Sequence, residues 1–321
     1  MADFVKKTWE QADIRSSGNM IKNKPKKKVN KKLRMSLMAY AFMAPALIVL
    51  IVFVFYPIIY SIPLAFFDYS VIGDSHFIGL DNFKRAFSDP EFWTAMLNSA
   101  LFVLCVPILQ ILSILLAVVV NCKLRGVTVF RVLFYIPVVT SMIAISIMWS
   151  FIFNPDGIIN SFLLTRGIIT QPVYFLADPR YALISLMFVT IWQGLGYYMM
   201  LYLAGLQSIP AELTEAAEID GAGKAAVFFK VTLPMLKPYI WFCSLFSVLS
   251  ALGVFDVVFA MTKGGPDNST LVMNLYTYNK AFGTFEFGYS AAAGLIMSVV
   301  TTAFSMIIFF YGRKGGMNNG D

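Results

Sequence analysis

The chain has 321 residues, of which 58% are hydrophobic and only 13% charged, and its mean hydropathy is +0.71. A water-soluble domain carries about a quarter charged residues, so this composition excludes one and describes a polytopic membrane protein. The net charge of +7 sits largely in one N-terminal cluster, which membrane orientation explains without invoking nucleic acid. One histidine, His76, cannot build a His-based metal centre. Cys105, Cys122 and Cys243 lie in or beside apolar runs and read as small hydrophobes, not as disulfides or metal ligands. No cofactor or metal is expected.

Residues 1–35 form a polar tail ending in Lys22, Lys24, Lys26, Lys27, Lys28, Lys31, Lys32 and Arg34. The apolar run behind it starts late and contains Pro45 and Pro57, unlike a cleaved signal peptide. It reads as an uncleaved anchor. Orientation alone accounts for the basic cluster, with anionic lipid binding as an alternative. Runs long enough to span, at about 20 residues each, occur near 38–63, 95–120, 130–153, 181–205, 239–261 and 288–311. The expected fold is an all-α polytopic membrane protein with six transmembrane helices in residues 36–312 and a short tail at 313–321.

Lysine and arginine in the short loops set the orientation. One set of loops carries Lys123, Arg125 and Arg131, then Lys224, Lys230 and Lys237, then Arg313 and Lys314. The alternate set carries only Lys84 and Arg85, Arg166 and Arg180, and Lys263 and Lys280. Both termini are therefore expected in the cytoplasm. On the other side, residues 68–92 are rich in aromatics suited to headgroup depth. Asn154-Pro155-Asp156-Gly157 and Thr262-Lys263-Gly264-Gly265-Pro266 are turn signals.

Within the cytoplasmic stretch 206–237, Glu215 to Pro234 reads EAAEIDGAGKAAVFFKVTLP. Pro210 suits a helix start, and Ala, Glu and Leu favour helix up to Gly221. Gly221 suits the left-handed residue that ends a helix. Ala222 to Val231 is expected to form a second short helix, stopped by Pro234. Local physics fits equally a hairpin packed on its own membrane domain and a docking surface for a partner.

Chemistry-bearing motifs are otherwise absent. The chain has no phosphate loop, no HExxH, no spaced Cys/His set and no GxSxG. Gly194-Leu195-Gly196 suggests close helix packing. Asp256 is the one acid clearly inside a predicted span. It reads either as lining a polar cavity or as reaching interfacial water at the span's external end. The fourth span carries Trp192, Gln193, Tyr197 and Tyr198. The fifth carries Ser244, Ser247 and Ser250 on one stripe. Aromatic rings beside hydroxyls and amides suit a sugar; the same residues also serve ordinary helix packing.

With the 215–234 loop on the cytoplasmic side, Glu215-Ala216-Ala217, Asp220-Gly221-Ala222 and Val231-x-Leu233-Pro234 resemble the EAA motif of permease subunits of bacterial ABC importers. Gly79-Leu80-Asp81-Asn82-Phe83, Phe130-Arg131 with Ile136-Pro137, and Phe255-Asp256 with Met261 to Pro266 resemble the carbohydrate-uptake branch, of the maltose and glycerol-phosphate type. The resemblance implies a type I ABC importer transmembrane domain. It implies pairing with a second homologous permease, two ATP-binding subunits and an extracytoplasmic solute-binding protein. In such a complex Glu215, Ala216, Ala217, Asp220 and Gly221 are coupling residues, and the ATP-binding subunits hydrolyse ATP. Similarity to the maltose permease implies sugar contacts at Gly194, Tyr197 and Ser247, to which the serine stripe adds Ser250. Two asparagines of that protein are apolar here, around Ala251 and Val254. Competing readings are a permease for glycerol phosphate or another small polar solute, a stand-alone ion-coupled carrier and a membrane enzyme.

Overall fold

Lipid offers backbone amides no partner, so a chain this apolar must satisfy them within its own helices. The computed structural model, which describes residues 31–69, 74–121 and 126–315, follows that rule. Among these residues the one exception to helix and connecting loop is a two-residue antiparallel pairing, Phe67–Asp68 (β1) with His76–Phe77 (β2). The chain divides after Tyr60 into two compact units. The first holds Lys31–Leu50 (α1), a π turn at Ile51–Phe55 and the start of Tyr56–Leu64 (α2).

The second unit holds the rest. It runs Asp81–Ser88 (α3), Pro90–Phe102 (α4), Cys105–Val120 (α5), Val127–Val139 (α6), Met142–Ile152 (α7), Ile158–Thr165 (α8) and Pro179–Ser208 (α9). Then come Ala211–Ile219 (α10), Lys224–Val227 (α11), a π turn at Phe228–Thr232, Leu233–Met235 (α12), Lys237–Leu252 (α13), Asp256–Met261 (α14), Met273–Tyr278 (α15) and Phe287–Gly315 (α16). By length and composition five stretches suffice to cross a membrane: Met38–Leu64, Pro90–Val120, Pro179–Ser208, Lys237–Met261 and Phe287–Phe310. The pair α6 and α7, bent by 101°, makes a sixth.

Three of the six runs are thus interrupted, each for a local reason. Between α4 and α5, Pro107 has no amide to give the Val103 carbonyl. Val106 bonds that carbonyl instead at 3.0 Å, in a tighter turn. Between α6 and α7, Pro137 removes one amide from the last turn, and Thr140 and Ser141 take extended backbone. Between α13 and α14, Gly253, Val254 and Phe255 leave the helix. Asp256 lies within the Lys237–Met261 stretch, where it is exposed and opens the short helix α14, at which an acid complements the positive helix end.

The 30-residue α9 packs on α5, α6 and α13. Helices attract one another weakly in lipid, and small residues that permit close approach compensate. Gly196 does this: a Cβ there would overlap the carbonyl oxygen of Phe134 on α6. One apolar cluster gathers Phe92, Phe102, Leu186, Met273 and Tyr276; another gathers Met199, Tyr202, Leu206 and Leu236. Cys105 and Cys243 are buried and unpaired, and Cys122 lies outside the described residues.

At the end where α9 begins, a polar knot ties α3, α4, α15 and α16. Asp89 caps α4 by accepting from the Glu91 amide at 2.8 Å. The same carboxylate accepts from Tyr276 at 2.6 Å and Tyr289 at 3.2 Å, with Lys280 Nζ 3.9 Å away. Arg85 donates twice to Glu286, at 2.8 and 3.0 Å, and lies over the Tyr289 ring. Burial alone would push Asp89 up. The hydrogen bonds from Tyr276, Glu91 and Tyr289 and the charge of Lys280 outweigh it and hold the carboxyl below its ordinary value of 3.8. A depressed carboxylate contributes stability that is present above the unfolded value and lost as pH falls through the folded one. The melting temperature should therefore fall more between pH 5 and about pH 3 in the wild type than in Asp89→Asn, read by a thermal scan in detergent at each pH.

Candidate functional site

The hairpin α10–α11 starts where α9 ends. Pro210 stands at the N-cap of α10 and Glu212 in its first turn, where negative charge is favoured. The helix ends in a full Schellman arrangement. The Gly221 amide bonds the Glu218 carbonyl and the Ala222 amide bonds the Ala217 carbonyl, each at 3.0 Å. Gly221 sits at φ +84°, the left-handed region a glycine occupies without strain. The expected Gly hinge is there.

The second arm differs from expectation. It begins at Lys224, not Ala222, and Pro234 does not stop it. The Leu233 amide reaches back five residues to the Phe228 carbonyl, and this π turn lets the helix continue through Pro234 to Met235. The same device precedes Pro57, where the Tyr56 amide bonds the Ile51 carbonyl. In both places the wider turn accommodates a ring that would collide with the carbonyl four residues back.

No residue of α10 is buried. Glu215, Ala216, Asp220 and Gly221 are exposed and Ala217 is half-buried. Ile219 is 86% exposed, and Leu213 and Phe229 are exposed as well. Beneath the hairpin, Val227 and Phe228 meet Val118 and Asn121 at the end of α5 and Leu206 of α9 around a cavity of about 260 Å³, which Glu218 and Lys224 also line.

A second cavity, of about 300 Å³, lies between α5, α9 and α13. Gly194, Tyr197, Ser247 and Ser250 all line it. Gln193 and Tyr198, from the polar set of the fourth span, join them, with Thr190 and Phe246. Tyr197 is 40% exposed, and its ring meets that of Tyr198 edge-on at 5.1 Å. The glycine pair divides its work: Gly194 faces the cavity and Gly196 the backbone of α6. Trp192 turns away into a ring cluster with Trp149.

Ser247 is 3% exposed and already engaged. Its Oγ donates to the Cys243 carbonyl at 2.7 Å and accepts from Gln110 Nε2 at 2.8 Å. Gln110 Oε1 accepts from the Tyr202 hydroxyl. One amide thus joins α5, α9 and α13 below the cavity. Sequence reasoning misses Gln110, although a glutamine inside CVPILQILSILL is signal enough. Nothing in the sequence marks Cys105, Val106 and Leu109, which form the α5 wall.

The family model for the inner membrane component of binding-protein-dependent transport systems matches residues 20–314. The chain belongs to that family. This permease is 37% identical to the lactose transport system permease protein of Rhizobium radiobacter over 281 residues, 86% of this chain and 94% of that one. It is 33% identical to the multiple sugar-binding transport system permease protein of Streptococcus mutans, over 86% and 95% of the two chains. With the diacetylchitobiose uptake permease of Streptomyces coelicolor it shares 31%, over 88% and 84%. Its fold matches a chain of a bacterial ABC transporter that imports alginate, with a TM-score of 0.77, 24% identity and coverage of 88% and 98%. The permease is therefore a multi-pass inner-membrane subunit of a binding-protein-dependent ABC importer, not an enzyme.

Removing the central amide would leave the buried Tyr202 hydroxyl and Ser247 each short of a partner. Gln110→Leu should cost about 1–3 kcal/mol of stability, seen as a lower melting temperature of the detergent-solubilised permease.

Proposed function

We propose that the permease forms part of the path by which a sugar or oligosaccharide enters the cell, driven by ATP that other subunits hydrolyse. The carrying observation is the cavity between α5, α9 and α13, where Tyr197 presents a half-open ring beside Gly194, Gln193 and Ser250. At about 300 Å³ it lies at the lower end of small-molecule sites. A ring face with hydroxyl and amide neighbours suits a sugar's apolar C–H face and its hydroxyls. The lactose, diacetylchitobiose and multiple-sugar relatives support the same substrate class. Ser250 is exposed and shares a side-chain hydrogen bond with Tyr198, while Ser247 contributes through the Gln110 network that shapes the wall.

In this reading 206–237 is the coupling segment of a transmembrane domain at 36–312, flanked by cytoplasmic tails at 1–35 and 313–321. Glu215, Ala216, Ala217, Asp220 and Gly221 meet one of two ATP-binding subunits. A second homologous permease completes the path, and an extracytoplasmic solute-binding protein delivers the sugar. The unburied face of α10 supports docking over internal packing, because Ile219 is 86% exposed among the described residues.

Tyr197→Ala in the complete importer should reduce uptake of labelled oligosaccharide about tenfold or more, with all subunits still copurifying; unaltered uptake would remove Tyr197 from the site. Glu215→Lys reverses a charge on the docking face. It should weaken copurification of the ATP-binding subunit and separate ATP hydrolysis from transport at unchanged permease melting temperature; normal coupling would end the docking role.

A further inference from the structure

Two glutamines sit on the helices that enclose the 300 Å³ cavity, and the protein uses them differently. A glutamine in a membrane helix ordinarily serves by bonding a neighbouring helix. Gln110 does so at both ends of its amide. Its Nε2 donates to Ser247 at 2.8 Å and to the Cys243 carbonyl at 3.3 Å, and its Oε1 accepts from Tyr202. Gln193, midway along α9, lines the cavity half-buried. Its amide bonds nothing among the described residues, yet it is not sealed off. The hydroxyls around it are engaged. Thr190 donates to the Leu186 carbonyl at 2.9 Å, Ser247 belongs to the Gln110 network, and Ser250 shares a hydrogen bond with Tyr198. Among the described residues no charged side chain lines the cavity, so selection at this wall rests on hydrogen bonds and ring contact.

We infer that Gln193 is the residue that selects the sugar at this wall, its amide taking two neighbouring hydroxyls of one ring; the inference rests on the sugar path proposed above. A primary amide presents an acceptor and an N–H donor side by side, and adjacent hydroxyls present the complementary pair. Thr190, Gln193, Gly194 and Tyr197 follow at helical spacing, so all four share the side of α9 that faces the cavity. Tyr197 stands one turn beyond Gln193, about 5–6 Å away between Cβ atoms. That is the step from a sugar resting on the Tyr197 ring to the hydroxyls on its rim. The ring alone would accept any sugar with an apolar face. A group built to bond a hydroxyl rejects the ligand that lacks it, because the group is then left without a partner.

The test is uptake into proteoliposomes that hold the complete importer and its solute-binding protein, with labelled lactose, cellobiose and diacetylchitobiose as probes. Uptake of none of them by the wild type overturns the sugar reading itself, and the inference with it. For a probe that is taken up, Gln193→Met keeps the length of the side chain and removes both hydrogen-bonding groups. It should lower kcat/KM about tenfold with all subunits still copurifying. The deciding readout is a series of monodeoxy derivatives of that probe. The solute-binding protein is the same throughout, so its own preferences cancel between wild type and variant. Gln193→Met should lose about tenfold of the wild-type discrimination at two adjacent hydroxyls and none at the others. Unchanged uptake by the variant, or an equal change at every hydroxyl, overturns the role of Gln193 and leaves the sugar path standing. Failure of the second permease to copurify with the variant would assign the amide to subunit packing, and also overturns it.

Discussion

One amide, that of Gln110, joins the three helices that enclose the larger cavity. It accepts from Tyr202 on α9 and donates to Ser247 on α13, so α5 is linked to both of its neighbours by side-chain hydrogen bonds. Lipid tails match apolar side chains, so interhelical hydrogen bonds and close packing supply the association that the hydrophobic effect supplies in water. The cavity above the amide exists because these helices are held at fixed spacing while Gly194 leaves room between them. Gly196, two residues on, closes α9 against α6 and seals the side.

The hairpin at the other end of α5 and α9 is organised on the opposite principle. Its backbone is tied by the Schellman turn at Gly221, while the first arm, α10, buries no side chain. A rigid element with a bare face transmits force well. Its underside rests on Val118, Asn121 and Leu206, the ends of two helices whose other parts line the cavity. Movement of the hairpin therefore reaches the proposed substrate site through whole helices.

Much of this is legible in the chain because it depends on short-range rules. Bilayer thickness sets the length of apolar runs, so all six stand out; a left-handed turn calls for glycine, so Gly221 stands out. Hydropathy does not register the direction of a helix, and the 101° bend at Thr140–Ser141 and the opening at Gly253–Phe255 lie inside runs that look continuous. Asp256 lies within its span as the run suggests, but at the start of a separate short helix that the run does not show. Pro234 reads as a stop because a proline breaks an α-helix, and the wider turn ahead of it is invisible in residue types. Long-range polar pairings are equally hidden. Asn160, which donates to Asn154 and Val173 carbonyls and accepts from the Val173 amide, folds the 154–173 connection without any local sign. The cavity residues stand out one at a time, and their convergence on one wall is a property of the packing.

The π turn at Phe228–Thr232 has a consequence for how the hairpin is aimed. Each added residue rotates the adjoining helix by about 100° and advances it by about 1.5 Å. The extra residue in that turn therefore sets the compass bearing of α10 and α11 relative to α13. Relaxing the turn to ordinary α-helix would rotate α11 by about 100° and undo the packing of Val227 and Phe228 against Val118 and Leu206. Five residues ahead of one proline thus set the bearing of the hairpin's exposed face.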